Sequence, residues 1–204
     1  MYALIEDNSI SKIITNPKSM VIGDVRYPAK IFQLWSVSEL NAIGIYEVIT
    51  DSTNKKDEAY YINTNEQFDY ANNQVTRSWG TATPKRLEDE DAVDENGDPV
   101  LDDDGKQIIN YGLKTEKKRI VKQQASGLLE KTDWHNHKAL DDDTYTIPNN
   151  IKTYRAEVRA KSNEMESQID ACKNVDELKA LYEYTRQEDG TQTRPLAEFP
   201  KEVI

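Results

Sequence analysis

Hydrophobic positions in the first part of the chain fall in short runs broken by turn residues. Tyr2, Leu4 and Ile5 precede Asp7-Asn8-Ser9, and Ile10, Ile13 and Ile14 follow, a pattern that predicts a β-hairpin. Asn16-Pro17 and Gly23-Asp24 mark further breaks, and Ile31-Phe32-Gln33-Leu34-Trp35 supplies a dense apolar anchor. Ser36-Val37-Ser38-Glu39 matches a capping box, in which the Ser36 hydroxyl and the Glu39 carboxylate each satisfy the other's backbone amide. Leu40 and Ile43 then share one face of a short helix, and Gly44 can supply its left-handed stop. Strands are predicted over Ile45–Ile49, Ala59–Ile62 and Gln74–Trp79, rich in β-branched and aromatic residues, with Asp69, Asn72 and Asn73 as turn residues between the last two.

Beyond residue 112 the hydrophobic period lengthens from two to between three and four. Thr115 is positioned to cap a helix whose stripe runs through Ile120, Val121, Gln124 and Leu128, with Gly127 as its weak point at about 1 kcal/mol relative to Ala. Pro148 suits the first turn of a second helix. Along it Ile151, Tyr154, Val158, Met165 and Ile169 lie on one face, with Arg155, Glu157, Arg159 and Lys161 largely outside. Ile151, Val158, Met165 and Cys172 resemble a heptad seam. A third helix opens at Asn174 with Glu177 three residues on, and Leu178, Leu181 and Tyr182 form its apolar face. From Thr185 the tail is polar and interrupted by Gly190, Pro195 and Pro200, which predicts irregular chain.

The expected fold is therefore α+β. A small β-rich module with one short helix covers residues 1–85, an acidic hairpin or linker 86–112, a helical hairpin or three-helix unit 113–184, and an irregular tail 185–204.

Composition narrows the partners. Only 37% of the 204 residues are hydrophobic, so the core must be modest or divided into small packets. A net charge of -11 argues against a general nucleic-acid binder, which needs clustered Lys and Arg, and against docking on an anionic membrane. From Glu88 to Asp104 there are ten acidic residues and no basic one. No apolar run approaches the ~20 residues of a membrane span, and the Met-Tyr-Ala-Leu start lacks the positive region of a signal peptide, so a soluble protein is expected. A single cysteine, Cys172, allows no intrachain disulfide and fits a buried, inert thiol.

Candidate chemistry is sparse. Asp94-x-Asn96-x-Asp98 matches the first positions of a calcium loop, but Pro99 stands where that loop needs Gly and no Glu follows at its twelfth position. His135 and His137, beside Asp133 and Trp134, are the only histidines. Lacking further ligands at a recognisable spacing, they fit a polar turn after a helix, with Trp134 anchoring it to the helical core. No phosphate-binding glycine loop is present, and no carboxylate pair is singled out by context. No metal, cofactor or catalytic residue is assigned. Arg155 and Arg159, four apart beside Tyr154, fit a partner-binding face and an ordinary solvated helix face equally.

Two stretches carry a family resemblance. Leu128-Leu129, Thr132-Asp133-Trp134 and Tyr154-Arg155 resemble the phage tail assembly chaperone pattern, Arg-x-x-Leu-Leu-x-x-Thr-Asp-Trp followed by Trp-x-x-Tyr-Arg-x-x-Leu-Arg. This chain departs from it at Ser126, Ile151 and Val158, and by an acidic insert, Asp141-Asp142-Asp143. The stretches from Pro28 to Tyr46 and from Val75 to Trp79 are similar to a small domain of phage structural proteins. The resemblance implies tail or fibre association; the first hypothesis is a non-enzymatic structural accessory protein of a tailed-phage virion, present in the host cytoplasm during assembly. It would act through contacts with other phage structural proteins, as a homo-oligomer or within a large assembly. A tail or tail-fibre assembly chaperone absent from the mature particle is the second hypothesis, and a glycan-cleaving tail enzyme the third. Trp134, Tyr154, Arg155 and Arg159 are the candidate partner-binding residues.

Overall fold

The structure is a computed structural model and describes residues 1–203. The chain is α+β and divides into two compact units, Met1–Pro84 and Lys85–Ile204.

In the first unit β1 (Tyr2–Glu6) and β2 (Ser9–Ile14) pair antiparallel across Asp7 and Asn8, both at positive φ. Two successive left-handed residues make the tight turn whose twist matches its strands. A two-stranded ribbon, β3 (Met20–Ile22) and β4 (Val25–Tyr27), turns at Gly23, where the sequence suggests only a break. Next come α1 (Ile31–Leu34) and α2 (Val37–Ala42), the latter opened by the Ser36–Glu39 capping box with both of its bonds formed.

Gly44 ends that turn at φ +82, and a Cβ there would lie 2.6 Å from the Ile5 carbonyl oxygen. The close approach lets Ile5 N–H donate to Gly44 O at 2.8 Å, which sets β5 (Ile45–Thr50) beside β1. Then follow β6 (Tyr61–Ile62), β7 (Gln67–Ala71), β8 (Gln74–Ser78) and β9 (Thr83–Pro84). The main sheet has the order β2-β1-β5-β8-β7, with β5 and β8 parallel and every other pair antiparallel.

Two expectations need correction here. Asp69 is not a turn residue: it lies inside β7, where Phe68 and Tyr70 alternate with it, and Asn72-Asn73 alone make the turn at positive φ. The strand expected over 59–62 shrinks to Tyr61–Ile62, because Asp57 captures the Ala59 amide on its carboxylate and the Tyr60 amide on its carbonyl. The core of this unit is Leu4, Ile14, Ile31, Leu40 and Ile45, flanked by Tyr2, Phe32, Tyr27 and Trp35.

The second unit starts with the acidic stretch, which folds as tight turns. β10 (Glu90–Asp91) pairs with β11 (Ile109–Asn110), and single bridges join Val93 to Pro99 and Leu101 to Gln107. Asp94 Oδ1 accepts from the amides of Asn96 and Asp98, and Asp102 Oδ1 from those of Asp104 and Lys106. Gly97 and Gly105 take the left-handed positions. The calcium-like spacing thus serves side-chain turns.

Four helices follow: α3 (Leu113–Glu130), α4 (Asp133–Asp141), α5 (Asn149–Ala171) and α6 (Val175–Ala180). Thr115 does not cap α3. The cap residue is Gly112, whose amide donates to Asp89 Oδ1 at 2.7 Å, while the next two amides donate to the carbonyls of Arg86 and Leu87. Thr115 Oγ1 donates to the other Asp89 oxygen. The orphan donors of this helix end are therefore satisfied from residues 86–89, a long-range cap no local spacing reveals.

The buried face of α3 runs through Lys114, Val121 and Ala125. Ile120 is 41% exposed and Gln124 is exposed, so the expected stripe is rotated by about one residue. Along α5 the expected face is buried throughout: Ile151, Tyr154, Val158, Met165 and Ile169, with Cys172 beyond its end. Each such side chain contributes about 1.5–3 kcal/mol by leaving water. On α6 Asn174 caps the Glu177 amide, and Val175 and Leu178 are buried, whereas Leu181 and Tyr182 lie past the helix and are half-buried. The tail is structured: β12 (Thr185–Arg186) pairs with β13 (Gln192–Thr193), Leu196 is buried, and Phe199 and Val203 pack on Ala125, Tyr154 and Val158.

Candidate interaction surface

α3 and α5 run antiparallel, as their cross-links show. Lys114 Nζ donates to Asp170 O, Lys118 pairs with Asp170 at 2.7 Å, Lys122 with Glu166 at 3.2 Å, and Arg155 reaches Leu129 at the far end. The last of these contacts forms the junction where α3 gives way to α4.

Arg155 does not lie outside. Its side chain is only 9% exposed and is spent on the junction. Nη1 donates to Leu129 O at 2.8 Å and to Thr132 Oγ1 at 2.6 Å, and Nη2 pairs with Asp133 Oδ1 at 2.8 Å. Thr132 in turn donates its amide and its hydroxyl to Leu129 O, each at 3.0 Å. A guanidinium can serve a carbonyl, a hydroxyl and a carboxylate at once because its donors are fixed in a planar fork. Its charge also sits at the C-terminal end of α3 and faces Asp133 in the first turn of α4, which favours both helix ends.

Tyr154, one residue before, is 97% buried in a cluster with Ala125 and Val158, against which Leu128 and Leu129 pack. Its hydroxyl is buried without a hydrogen-bond partner, and burial, with Glu202 close by, pushes its pKa up. Leu129, Thr132, Asp133, Tyr154 and Arg155 are therefore brought together, as folding residues.

Trp134 and Arg159 are the candidates left on the surface. The stretch holding His135 and His137 is helix α4, not a turn, and it carries Trp134 outward at 54% exposure rather than into the core. The Trp134 ring stacks on His135 with centroids 3.7 Å apart. His135 is buried and hydrogen-bonded through Nδ1 to the Tyr145 hydroxyl. Lys138 Nζ lies 4.4 Å from the centre of the Tyr145 ring. Tyr145 is brought back by Asp142, whose carboxylate accepts the amide and hydroxyl of Thr144. That Asp-x-Thr spacing is the signal by which sequence reading could have found the partner of His135. It missed Leu140, 80% exposed on the same helix.

Arg159 lines an open groove of about 350 Å³ with Lys122, Ser126 and Asn163. Cys172 is free and buried, and burial pushes its thiol pKa up. Among the described residues no group of three or more His, Cys, Asp or Glu is placed to hold a metal ion, and no helix is long and apolar enough to cross a membrane. What this unit offers chemically is a half-exposed aromatic shelf on α4, next to His137 and Lys138, together with the cationic groove at Arg159. No family model, curated protein or solved structure matches this chain.

Proposed function

We propose that the chain is a non-enzymatic structural accessory protein of a tailed-phage virion, tail- or fibre-associated, acting through protein–protein contacts. The observation that carries this reading is the pairing of Thr132-Asp133-Trp134 with Tyr154-Arg155, the two elements that resemble the tail assembly chaperone family. Arg155 welds them into one junction that leaves Trp134 outside. An aromatic held rigidly and half in water is what a protein interface uses as an anchor, because it buries a large area at little cost in conformational entropy. The partners are other phage structural proteins, bound from the host cytoplasm onward and retained in the tail region of the particle. Nucleic acid and membrane are not among them. The net charge of -11 supports this exclusion.

The same two elements support a second reading, an assembly chaperone that leaves before the particle matures. Mass spectrometry of purified particles separates the two. Peptides of this chain at stoichiometric amounts establish the virion role. Their absence, with the protein abundant in infected lysate, overturns it in favour of the chaperone.

A further inference from the structure

A ladder of cross-helix ion pairs joins α3 to α5 and steps one turn at a time along both. Lys118 meets Asp170, and Lys122 meets Glu166. A further step of four residues on each helix brings Ser126 to Ser162. The third rung therefore holds two short hydroxyls where the first two hold a cation and a carboxylate. The helices are left unbridged there, and the open groove of about 350 Å³ lies at this gap, with the apolar Ala125 and Leu129 in its lining.

A cation stands at the gap without an acid. Arg159 is exposed and lines the groove, and among the described residues its one hydrogen bond is long, from Nη1 to the Arg155 carbonyl of its own helix at 3.3 Å. No carboxylate among the described residues pairs with it, although acidic residues outnumber basic ones 37 to 26 along the chain. Glu166, the carboxylate bonded to groove residues, is spent on Lys122 and on the Ser162 hydroxyl. Arg155, by contrast, has Asp133. Ser126 and Asn163 add a hydroxyl and a carboxamide to the same groove.

We infer that this groove docks an acidic segment of a partner protein, whose carboxylate completes the third rung by pairing with Arg159. A guanidinium fork fits a carboxylate with two parallel bonds, and the Ser126 hydroxyl and Asn163 amide are donors for the same group. Ala125 and Leu129 favour a carboxylate carried on a methylene stem over a bare hydrated anion, because the stem covers apolar surface. The net charge of -11 repels acidic molecules from the chain as a whole, so attraction is confined to this gap. The inference rests on the proposed reading of a chain that works through protein contacts, and adds the kind of segment it takes. Its test uses the free chain in solution, so it can fail while the particle test succeeds, and the reverse.

The full chain is titrated against a fluorescein-labelled peptide of alternating glutamate and alanine, read by fluorescence anisotropy, with amide NMR spectra to locate the contact. Saturable binding is expected, with the amides of Ser126, Ser162 and Asn163 shifting. Arg159→Ala should weaken it about fivefold, the contribution of one exposed charge pair. Lys152→Ala removes an exposed cation about two turns away on α5 and should leave binding unchanged. Ser126→Glu supplies the missing carboxylate from within the chain and should abolish binding, whereas Ser126→Gln keeps it. Helical circular dichroism shows that each variant is folded. Absence of saturable binding overturns the inference, and so does full binding by folded Ser126→Glu. Equal losses in Arg159→Ala and Lys152→Ala overturn it as well, because the peptide would then follow overall charge. Displacement of the peptide by an equal concentration of inorganic phosphate would make the groove a free-anion site instead. Self-association of the wild type that Ser126→Glu abolishes would give the groove to the acidic stretch of a second copy, which also overturns the assignment to a partner protein.

Discussion

Replacing Arg155 separates a folding residue from a contact residue. In Arg155→Ala the α3–α4 junction loses a charged donor to Leu129 O and Thr132 Oγ1 and the partner of Asp133. Hydrogen bonds from a charged donor contribute about 1.5–3 kcal/mol each. They do not add in full here, because Leu129 O keeps the two bonds from Thr132. Asp133 is 46% exposed, so its pairing with Arg155 is screened and contributes no more than about 1 kcal/mol. Removing the buried stem and the charge at the end of α3 adds a similar amount. The sum is a loss of about 3–4 kcal/mol. Arg155→Lys keeps the charge but not the fork, and should lose about half as much. Urea unfolding followed by helical circular dichroism measures both, because the long helices lie in this unit. Arg159→Ala, on the exposed side of the same helix, should stay within about 0.5 kcal/mol of wild type. An Arg155→Ala chain as stable as Arg159→Ala would refute the assignment of Arg155 to the junction.

Three further perturbations have defined outcomes. A Cβ at Gly127 meets nothing, so Gly127→Ala should raise the stability of this unit by up to about 1 kcal/mol, read as a higher midpoint in the same urea titration. Gly112→Ala should do the reverse and lower helical content already in buffer, since its Cβ would sit 2.4 Å from Glu88 O just where α3 is capped. Asp51, Asp142 and Asp189 each accept bonds from the Thr two residues on, and Asp94 accepts from the amides of Asp98 and Asn96, which lowers their pKa. A lowered folded pKa stabilises above the unfolded value, about 3.9, and that contribution is lost as pH falls through the folded one. Carboxyl carbon shifts followed by NMR should show these four titrating below the free value of about 3.9, and midpoints at or above it would contradict the turns.

Elements fixed by neighbours in sequence were legible before the fold was known. The Ser36–Glu39 box, the Gly44 stop, the Asn174 cap and the buried face of α5 each depend on residues three or four apart, and each stands as read. Misreadings arose where a distant group intervened. Asp89 and the carbonyls of Arg86 and Leu87 take over the start of α3, leaving Thr115 no capping role. The tail looked featureless because its anchors, Leu196, Phe199 and Val203, are spaced for extended chain against a helix, a pattern without helical or strand period.

Arg155 shows why the candidate site was only half legible. On a helical wheel it sits one step from Tyr154 and Val158, and an arginine there reads as solvated unless something buried needs its donors. What needs them is Leu129 O and Thr132, more than twenty residues earlier. The spacing between the two motif halves therefore reflects the length of chain that returns α5 to the end of α3, and nothing in either half alone announces the bond. It follows that a match to Thr-Asp-Trp and Tyr-Arg selects first for this junction. Within it, a Thr hydroxyl, an Asp carboxylate and an Arg fork are one folding unit, whereas the Trp134 side chain lies 54% exposed on α4. On the proposed reading, residues that choose a partner are to be sought around Trp134, on α4 at His137 and Leu140, whose side chains face solvent, whereas Lys138 also serves the Tyr145 ring.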